Sequence, residues 1–395
     1  MLCAAVVLAS PECRMNILHV VPSLAREWGG PLTVISRLAE LLQQLNVQGS
    51  MVATKGYRVG TPQPLRAVNC HVARTSPLSH LWTAHSFEVR SMLRDLIGRA
   101  DVVHIHELWH YPHWIAARLA HQQGVPYIIS PHGELDPWRL NYKWWKKRPY
   151  LALTQRALIA KAAAVHAITE AEASETRLQV PDANVRIIPN GVNPYEFAQL
   201  PTRSHLLSQY PELDGKRIVL FIGRLQKVKG LDILVKAFAA LARERSDLAL
   251  VIAGPDEGFR SRMVEQLQRS RLSERAVFTG FVSGADKRAL LGAAELFALP
   301  SHGEGFSAAV LEAMASGLPV VVTRQCKFPD IAEWGAGIII EPDCDQLADA
   351  IRSVLDQPHR RRAMGNRARE LVRAQYSWSS IVQQMYELYR DVQNA

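Results

Sequence analysis

The sequence predicts two α/β domains, each built on a doubly wound parallel β-sheet. Short apolar runs that end in polar residues recur along both halves of the chain, and amphipathic helical segments lie between them. Strands that are apolar throughout are typical of parallel sheets, which are covered on both faces. With 395 residues the chain is also too long for one ordinary core.

The first domain is expected over residues 15–198. Its first strand is the run NILHVVPS after Met15, and the helical segment GGPLTVISRLAELLQQLN follows it. Further strands are expected at ADVVHIHE, PYIISPHG and AAVHAITEA. Pro, Gly and Asn then cluster without periodicity over residues 189–204, which predicts the seam between the domains.

The second domain is expected over residues 199–375, with strands at RIVLFIGRL, LALVIAGP, AVFTGFV, ELFALPS and LPVVVT. Residues 376–395 are expected to form a last helix with an aromatic face. Parallel sheets bind ligands at the carboxyl ends of their strands. The polar residues that follow these apolar runs are therefore the candidates for function.

The first 14 residues, MLCAAVVLASPECR, form a short apolar run without a basic n-region. A signal peptide is one interpretation. We favour a disordered extension, or a start at Met15. No apolar run in the chain reaches the roughly 18 residues that a membrane span needs.

The net charge and the cysteine spacing indicate which ligands and which cellular compartment suit the protein. A net charge of +9 suits anionic small molecules or a phospholipid surface, and no nucleic-acid-binding module is recognisable. The five cysteines show neither a CxxC spacing nor a dense framework, which favours a reducing, cytoplasmic compartment.

Residues 299–323, LPSHGEGFSAAVLEAMASGLPVVVT, predict a strand, a tight loop and a buried helix that starts after Ser307 and ends at Gly317. Two acids, Glu304 and Glu312, lie in this apolar stretch. Burying an ionised carboxylate costs several kcal/mol unless donors meet it. We therefore expect both carboxylates to accept hydrogen bonds from hydroxyl groups of a ligand.

A second motif, FIGRLQKVKG at residues 221–230, places Arg224 and Lys229 after a buried strand. Two cations at a strand end suit a diphosphate, which they would bind by charge-assisted hydrogen bonds. The spacing matches neither the P-loop nor the dinucleotide fingerprint. Two plain surface cations are the alternative.

The first half contributes weaker signals. WGGPLT at residues 28–33 joins the first strand to its helix through a glycine pair, and SPHGELDPW places His132 and Gly133 at a strand end. The segment HIHELWHYPHW is rich in rings. We expect H-x-H to alternate between the faces of a strand, so these residues predict a lining for a polar, ring-shaped substrate rather than a metal site: His104, His106, Trp109, His110 and His113.

Two segments have competing interpretations. PDCDQLADAI contains a D-x-D pair that could bind a divalent cation, but Asp343 or Asp345 is better read as a helix N-cap. NYKWWKKRPY at residues 141–150 interleaves basic and aromatic residues. It fits a membrane interface, a loop that binds an anionic acceptor, or a solvated helix start equally well.

Taken in order, the motifs resemble those of family 4 of the GT-B-fold glycosyltransferases, the retaining, nucleotide-sugar-dependent group active in exopolysaccharide, lipopolysaccharide and glycolipid assembly. The resemblance covers about residues 15–390 and rests on these elements: Gly29–Gly30, HG at 132–133, PNGVN at 189–193, GRLQKVKG at 223–230, and Glu304 with Glu312. It implies two Rossmann-like domains facing a cleft, with the last helix crossing back to the first domain.

The resemblance also implies roles for individual residues. Arg224 and Lys229 would hold the donor diphosphate, Glu312 the ribose and Glu304 the transferred sugar. The remaining implied contacts are the backbone of Gly305, Phe306 and Ser307 around sugar and phosphate, His132 beside the sugar, and Gly30 over the phosphate. The catalytic group would thus be His132, Glu304, Arg224 and Lys229. His106, Glu107, Trp109 and Trp138 are expected on the acceptor side. Pro31, where many relatives differ, leaves the acceptor geometry open.

The implied enzyme transfers a hexose from a nucleotide sugar to a glycan or lipid-linked glycan, with no cofactor, no metal and no nucleic acid. It would be cytoplasmic, with peripheral association at the inner face of the plasma membrane as an alternative. A sugar-nucleotide epimerase of the same fold and a non-catalytic nucleotide-sugar-binding protein are the rival interpretations. A phosphorylase would need a lysine for pyridoxal phosphate, and no lysine stands out for that role.

Overall fold

The computed structural model describes residues 14–24, 30–55, 68–141 and 144–395, without the side chains of residues 30, 31, 138 and 139. The chain forms two compact units: Met1–Pro189 with Ile381–Ala395, and Asn190–Ser380. Several predicted features lie outside the described residues: residues 1–13 of the extension, residues 28–29 of the glycine turn, the side chain of Trp138, and residues 142–143 of the basic-aromatic segment.

The first unit is built on a parallel sheet, for which seven strands are described. The strands are β1 Met15–Val20, β2 Val47–Lys55, β3 Val68–Arg74, β4 Val102–His106, β5 Tyr127–Ser130, β6 Ala164–Ala167 and β7 Val185–Ile187. Their order in the sheet is β3-β2-β1-β4-β5-β6-β7, so the winding reverses between β1 and β4. Ligands of doubly wound sheets bind outside the strand ends at such a reversal.

Helices cover this sheet, and the spacing of their apolar residues explains which face of each helix is buried. The helices are α1 Gly30–Leu42, α2 Phe87–Ile97, α3 Tyr111–Gln123, α4 Pro137–Asn141, α5 Trp144–Tyr150, α6 Arg156–Ala160 and α7 Glu170–Gln179. In α2, Val89, Leu93 and Ile97 recur every fourth residue and are all buried. The helix begins where the Ser86 side chain accepts from the amide of Val89 at 3.2 Å.

The second unit repeats the scheme with a six-stranded parallel sheet. The strands are β8 Arg217–Ile222, β9 Leu248–Ala253, β10 Ala276–Gly280, β11 Leu296–Leu299, β12 Val320–Thr323 and β13 Gly337–Ile340. Their order is β10-β9-β8-β11-β12-β13, which puts the reversal between β8 and β11. Every residue of β9 is buried, as expected for a strand covered on both faces.

The helices of the second unit are α8 Arg203–Leu207, α9 Leu231–Glu244, α10 Arg260–Arg269, α11 Gly284–Ala293, α12 Ala308–Ala315, α13 Asp330–Glu333, α14 Cys344–Asp356 and α15 Pro358–Gln375. The last helix, α16, spans Trp378–Gln393. From Ile381 onward its residues belong to the first unit. There the hydroxyl of Tyr389 lies 2.7 Å from Nδ1 of His104 on β4, and both side chains are fully buried.

The predicted fold class, two doubly wound parallel-sheet α/β units, is confirmed. Four strands escaped the sequence analysis: β2, β3, β7 and β13. Three of them are edge strands with partly exposed residues, and β2 contains Gly49 and Ser50, so none is a clean apolar run. Among the described residues, no helix is both long and apolar enough to cross a membrane.

Candidate active site

The reversal between β8 and β11 brings a cation and a carboxylate together in the second unit. Nζ of Lys229 lies 2.6 Å from Oε1 of Glu304, and the two side chains are 16% and 8% exposed. Lys229 ends a short turn after β8, whereas Glu304 lies in the loop after β11. The two residues are 75 positions apart in sequence, so the sheet order creates the pair.

Both segments are held by hydrogen bonds. The carbonyl of Val228 accepts from the Ser301 hydroxyl at 2.9 Å and from the amide of His302 at 2.7 Å. The amide of Glu304 donates to the carbonyl of Gln325 at 3.1 Å. Gly230 has φ of +66°, and a Cβ there would overlap the carbonyl oxygen of Pro300, so only glycine fits this close approach.

A second ion pair anchors the helix that follows. Oε1 of Glu312 on α12 lies 2.6 Å from Nζ of Lys287 on α11, and the side chains are 21% and 24% exposed. Glu312 is thus an intermediate case: it is neither fully buried in the apolar helix nor solvent-facing. Lys287 provides the donor that its partial burial requires.

The start of α12 has the predicted cap. The Ser307 hydroxyl accepts from the amide of Val310 at 3.4 Å, and α12 ends at Ala315, two residues before Gly317 at φ +78°. Phe306 packs against Phe328, with ring centroids 5.1 Å apart. No described residue accepts a hydrogen bond from the amides of residues 305–307, so these amides are available to an anion.

Arg224 is more exposed than Lys229. Its guanidinium lies 3.1 Å from Oε1 of Glu257, and the side chains are 59% and 38% exposed. Gln226 donates to the same carboxylate. An exposed ion pair of this kind adds little stability, so it holds Arg224 in place rather than holding the unit together. Glu257 and Gln226 were absent from the sequence-based site because nothing local distinguishes them.

In the first unit, histidines cluster where the strand order reverses, between β1 and β4. His19 on β1 is paired in register with His104 on β4. The rings of His104 and His106 are stacked with centroids 4.1 Å apart. The expectation that H-x-H alternates between faces was wrong, because residues two apart on a strand share a face.

In the row of hydrogen bonds from His166 to Tyr389, the donor and acceptor of each bond can be assigned. Nε2 of His166 lies 2.8 Å from the carbonyl of Ile188, which can only accept, so His166 donates there. Nδ1 of His166 then accepts from the Ser130 hydroxyl at 2.8 Å, and Ser130 accepts from Nε2 of His104 at 2.7 Å. His104 therefore accepts from Tyr389, and each polar atom in this row is satisfied.

A second row of hydrogen bonds joins three imidazoles by two contacts. Nδ1 of His19 lies 3.0 Å from Nε2 of His106, and Nδ1 of His106 lies 3.1 Å from Nε2 of His132. Burial lowers the pKa of His19 to about 4 and that of His132 to about 3, and it holds the pKa of His106 well below its ordinary value. All three imidazoles are thus neutral at pH 7.

His132 has an uncommon backbone conformation. Its φ is +53° and that of Gly133 is +74°. The amide of Gly133 donates to Oε1 of Glu172 at 2.5 Å, while the amide of Ile168 donates to Oε2 at 2.7 Å. A non-glycine residue at positive φ costs energy and is typical of functional sites. Glu172, which is 2% exposed, therefore holds the turn and was missed by the sequence analysis.

The prediction that a row of histidines lines a pocket for a ring-shaped substrate needs correction, and it includes His106, which was also expected on the acceptor side. His104, His106, His110 and His113 are all buried and pack inside the first unit, so they do not line a pocket for a polar ring. The ligand atoms of His19, His104 and His106 lie within 4.8 Å of one another, a spacing that a metal ion could use. Both nitrogens of His104 and of His106 are, however, engaged in the hydrogen bonds described above.

Glu107 and Trp109 remain at the margin of this region. Glu107 has φ of +76°, and its carboxylate lies 3.6 Å from Nδ1 of His110. Trp109 is half-buried, and Nζ of Lys147 lies 5.3 Å from its ring centroid. Gly30 begins α1, as its place after the first strand suggests.

The D-x-D pair is a helix cap. Oδ1 of Asp343 accepts from the amides of Asp345 at 3.0 Å and Gln346 at 2.9 Å, which starts α14. The prediction that one of these two aspartates caps the helix is confirmed, and Asp343 is the cap.

Comparison with known proteins identifies the family. Residues 29–191 match the model of the glycosyl transferase 4-like domain, and residues 204–371 match that of glycosyl transferases group 1. The chain belongs to the group 1 glycosyltransferases. It is therefore a transferase enzyme. The first matched segment covers most of the first unit and ends two residues into the second, and the other segment lies within the second unit.

Relatives of this glycosyltransferase span most of its length. An uncharacterised glycosyltransferase from Methanocaldococcus jannaschii is 28% identical over 86% of this chain and 88% of that protein. The alpha-D-kanosaminyltransferase of Streptomyces kanamyceticus is 30% identical over 62% of this chain and 64% of that protein.

Solved structures show that this glycosyltransferase has the GT-B fold. Anabaena HepE, solved in complex with UDP, has a TM-score of 0.79 at 19% identity and covers 95% of this chain and 100% of that one. Sucrose-phosphate synthase from Thermosynechococcus elongatus has a TM-score of 0.76 at 22% identity, with 96% and 99% covered.

Proposed function

We propose that this glycosyltransferase moves a hexose from a nucleoside-diphosphate donor to a glycan or lipid-linked glycan, with retention of the anomeric configuration and without a metal. Exopolysaccharide or lipopolysaccharide assembly is the proposed setting. The observation that carries the proposal is the nearly buried pair of Lys229 and Glu304 at the reversal between β8 and β11.

Lys229 is assigned to the donor diphosphate. A diphosphate oxygen would share Nζ with Glu304 or replace it, and the amides of residues 305–307 would add neutral donors at the start of α12. Arg224, held by Glu257, supplies a second positive charge beside them. No metal is needed to balance the diphosphate in this arrangement.

Each acid then accepts from hydroxyls. Glu304 would bind hydroxyl groups of the transferred sugar. Glu312 would bind the ribose, since Lys287 occupies Oε1 and leaves lone pairs on both oxygens. A carboxylate is well suited to a vicinal diol, because its two oxygens accept from two neighbouring hydroxyls.

The fold neighbours support a UDP-sugar as the first donor to test. HepE was solved with UDP, with UDP and glucose, and with UDP-glucose. Among the sequence relatives are an N-acetyl-alpha-D-glucosaminyl L-malate synthase of Bacillus anthracis and a D-inositol 3-phosphate glycosyltransferase of Kineococcus radiotolerans. The acceptors named there differ widely, so the donor is the better starting point.

The proposed chemistry breaks the bond between the anomeric carbon and the diphosphate oxygen. The sugar gains oxocarbenium character, and Lys229, Arg224 and the helix amides stabilise the departing diphosphate. Glu304 is assigned to hydroxyl binding, so it is not the nucleophile that a retaining hydrolase would use. We therefore favour attack by the acceptor on the same face as the leaving diphosphate, which takes the acceptor's proton. A trapped covalent sugar–enzyme adduct would contradict this mechanism.

Peripheral membrane association is proposed from an exposed basic-aromatic surface, Trp144–Leu153. The side chains of Trp144, Trp145 and Leu153 are 57%, 58% and 83% exposed, and Nζ of Lys146 lies 4.8 Å from the ring centroid of Trp145. Aromatic rings flanked by lysines suit the interface of an anionic membrane. This surface would bring the enzyme to a lipid-linked acceptor.

Sedimentation with vesicles tests the membrane proposal. The protein should sediment with vesicles of phosphatidylcholine and phosphatidylglycerol and stay in solution with phosphatidylcholine alone. Replacing Trp144 and Trp145 together by alanine should abolish binding. Equal binding by the variant and the original protein would exclude this surface.

A thermal-shift screen of nucleotide sugars tests the donor. A ligand that binds only the native state raises the melting temperature. UDP-glucose, UDP-N-acetylglucosamine, GDP-mannose and ADP-glucose should be compared with free glucose. At least one nucleotide sugar should raise the melting temperature, and glucose should not. Donor conversion without any acceptor, to an epimer, would favour the epimerase alternative.

A further inference from the structure

The row of His19, His106 and His132 leads from the interior of the first unit to a residue that is partly exposed. His19 and His106 are 0% and 2% exposed, whereas His132 is partly exposed. No described residue hydrogen-bonds Nδ1 of His132. The row therefore has one closed end, at His19, and one end open to a ligand.

The hydrogen bonds in this row must all point the same way. A neutral imidazole has one N–H and one lone pair, so His106 donates to one neighbour and accepts from the other. The tautomer of His132 is then coupled to that of His19. The row has two directions, and they differ in which atom of His132 carries the proton.

The closed end favours one of the two directions. Nε2 of His19 is buried and has no hydrogen-bond partner. If the row ran inward, this atom would be an N–H without an acceptor. If it runs outward, the atom carries only a lone pair. Buried orphaned N–H groups are rare, and unsatisfied acceptors are tolerated better. His19 therefore donates to His106, and His106 donates to Nε2 of His132.

We propose that His106 and His19 are positioning residues that hold His132 as the Nδ1–H tautomer, so that Nδ1 donates a hydrogen bond to a substrate oxygen. This inference rests on the proposed role of His132 beside the transferred sugar. His132 is then a neutral donor rather than a general base, because its one lone pair is already used by His106.

The backbone at His132 supports the same role. The positive φ values of His132 and Gly133, with Glu172 accepting from the Gly133 amide, hold the start of the side chain. His106 holds the far side of the ring at 3.1 Å. The ring is therefore constrained at both ends, as a donor that must meet a substrate oxygen should be.

Nitrogen-15 NMR of histidine-labelled full-length protein tests the tautomer directly and needs no substrate. The His132 signals are assigned by their loss in His132→Asn. The original protein should show a protonated Nδ1 and a bare Nε2 on His132 at pH 7. A proton on Nε2 would overturn the proposed direction. In His106→Leu, His132 should shift to a mixture of tautomers, and an unchanged spectrum would overturn the positioning role.

Kinetics with UDP-glucose as the probe separate positioning from folding. His106→Leu should lower kcat about tenfold, the effect of one misplaced hydrogen bond, with little change in KM for UDP-glucose. His106→Asn keeps an amide at the position of Nδ1 and should restore most of kcat. His166→Asn removes an equally buried imidazole from the other row and should leave kcat within about threefold.

The outcomes distinguish the two proposals. If His132→Ala leaves kcat unchanged, the role of His132 in the proposed function fails. If His132→Ala lowers kcat but a folded His106→Leu does not, only the positioning inference is overturned. Where His106→Leu proves unfolded by circular dichroism, the spectra of the original protein and of His106→Asn decide.

Discussion

Lys229 and Glu304 form a nearly buried ion pair whose charged atoms lie 2.6 Å apart. The lysine follows β8 and the glutamate follows β11, the two strands between which the sheet reverses its winding. The pair thus lies beyond the carboxyl ends of these two strands, where ligands of doubly wound sheets bind. It also neutralises two groups that would be costly to leave unpaired in this setting.

Lys229→Ala should weaken the binding of UDP. Loss of a charge-assisted hydrogen bond costs about 1.5–3 kcal/mol, which corresponds to about 10–100-fold in Kd. Isothermal titration calorimetry with UDP measures the change. Lys227→Ala is the matched control, because Lys227 is exposed in the same turn and has no ion pair among the described residues. Equal effects of the two substitutions would show that the role of Lys229 is not specific.

Glu304→Gln should spare UDP binding and damage sugar transfer. The amide is nearly isosteric with the carboxylate, but it has one acceptor oxygen instead of two and no negative charge, so the donor sugar loses its orientation. UDP should bind within about threefold of the original, because Lys229 keeps its charge for the diphosphate. Calorimetry with UDP and a transfer assay are run on the same sample. Normal transfer by this variant would refute the assignment of Glu304.

Glu312→Ala should abolish the preference of the protein for UDP over its 2′-deoxy analogue. The original protein should bind UDP more tightly than 2′-deoxy-UDP by about tenfold, the effect of one hydrogen bond to a carboxylate. The variant should bind the two ligands about equally. Lys287→Ala leaves the carboxylate in place and should retain part of the preference. A full preference for UDP in Glu312→Ala would place the ribose elsewhere.

Stability should fall as the pH falls from about 6.5 towards 4. Burial lowers the pKa of His19 and of His166 to about 4, whereas an unfolded histidine titrates near 6.5. Between these values the unfolded chain binds more protons, so the free energy of unfolding rises with pH in this window, and the contribution of these two histidines is constant above it. Each of these two imidazoles contributes up to about 3 kcal/mol.

Urea unfolding at pH 7, 6 and 5 measures this dependence. Paired carboxylates contribute at lower pH, near and below their unfolded pKa of about 4, so they do not confuse the comparison. His166→Asn should reduce the slope between pH 6.5 and 5. A free energy of unfolding that is constant from pH 7 to pH 5 would contradict the neutral, buried state of these imidazoles.

Part of the candidate site could be predicted because it is local. Ser307 as the cap of α12, Asp343 as the cap of α14 and the apolar strands β8, β9 and β11 all follow from patterns over a few residues. The order of these motifs along the chain was also enough to indicate the family.

Partners could not be predicted because they come from distant segments. Lys287 and Glu312 are 25 residues apart on two different helices, and Glu172 reaches the Gly133 amide across 39 residues. The histidines were misjudged for a related reason. Composition suggested a polar lining, whereas the register of β1 with β4 stacks these rings inside the unit.

The fold class and the family could be predicted from the amino-acid sequence alone, since both depend on periodicity and on the order of short motifs. The tertiary structure decided which charges pair and which histidines bond, because strand order and register bring together residues 75 or more positions apart, as with Lys229 and Glu304 or His19 and His104. The hydrogen bonds and ion pairs of a side chain depend on its neighbours, and in this protein the strand order and register determine which residues are neighbours.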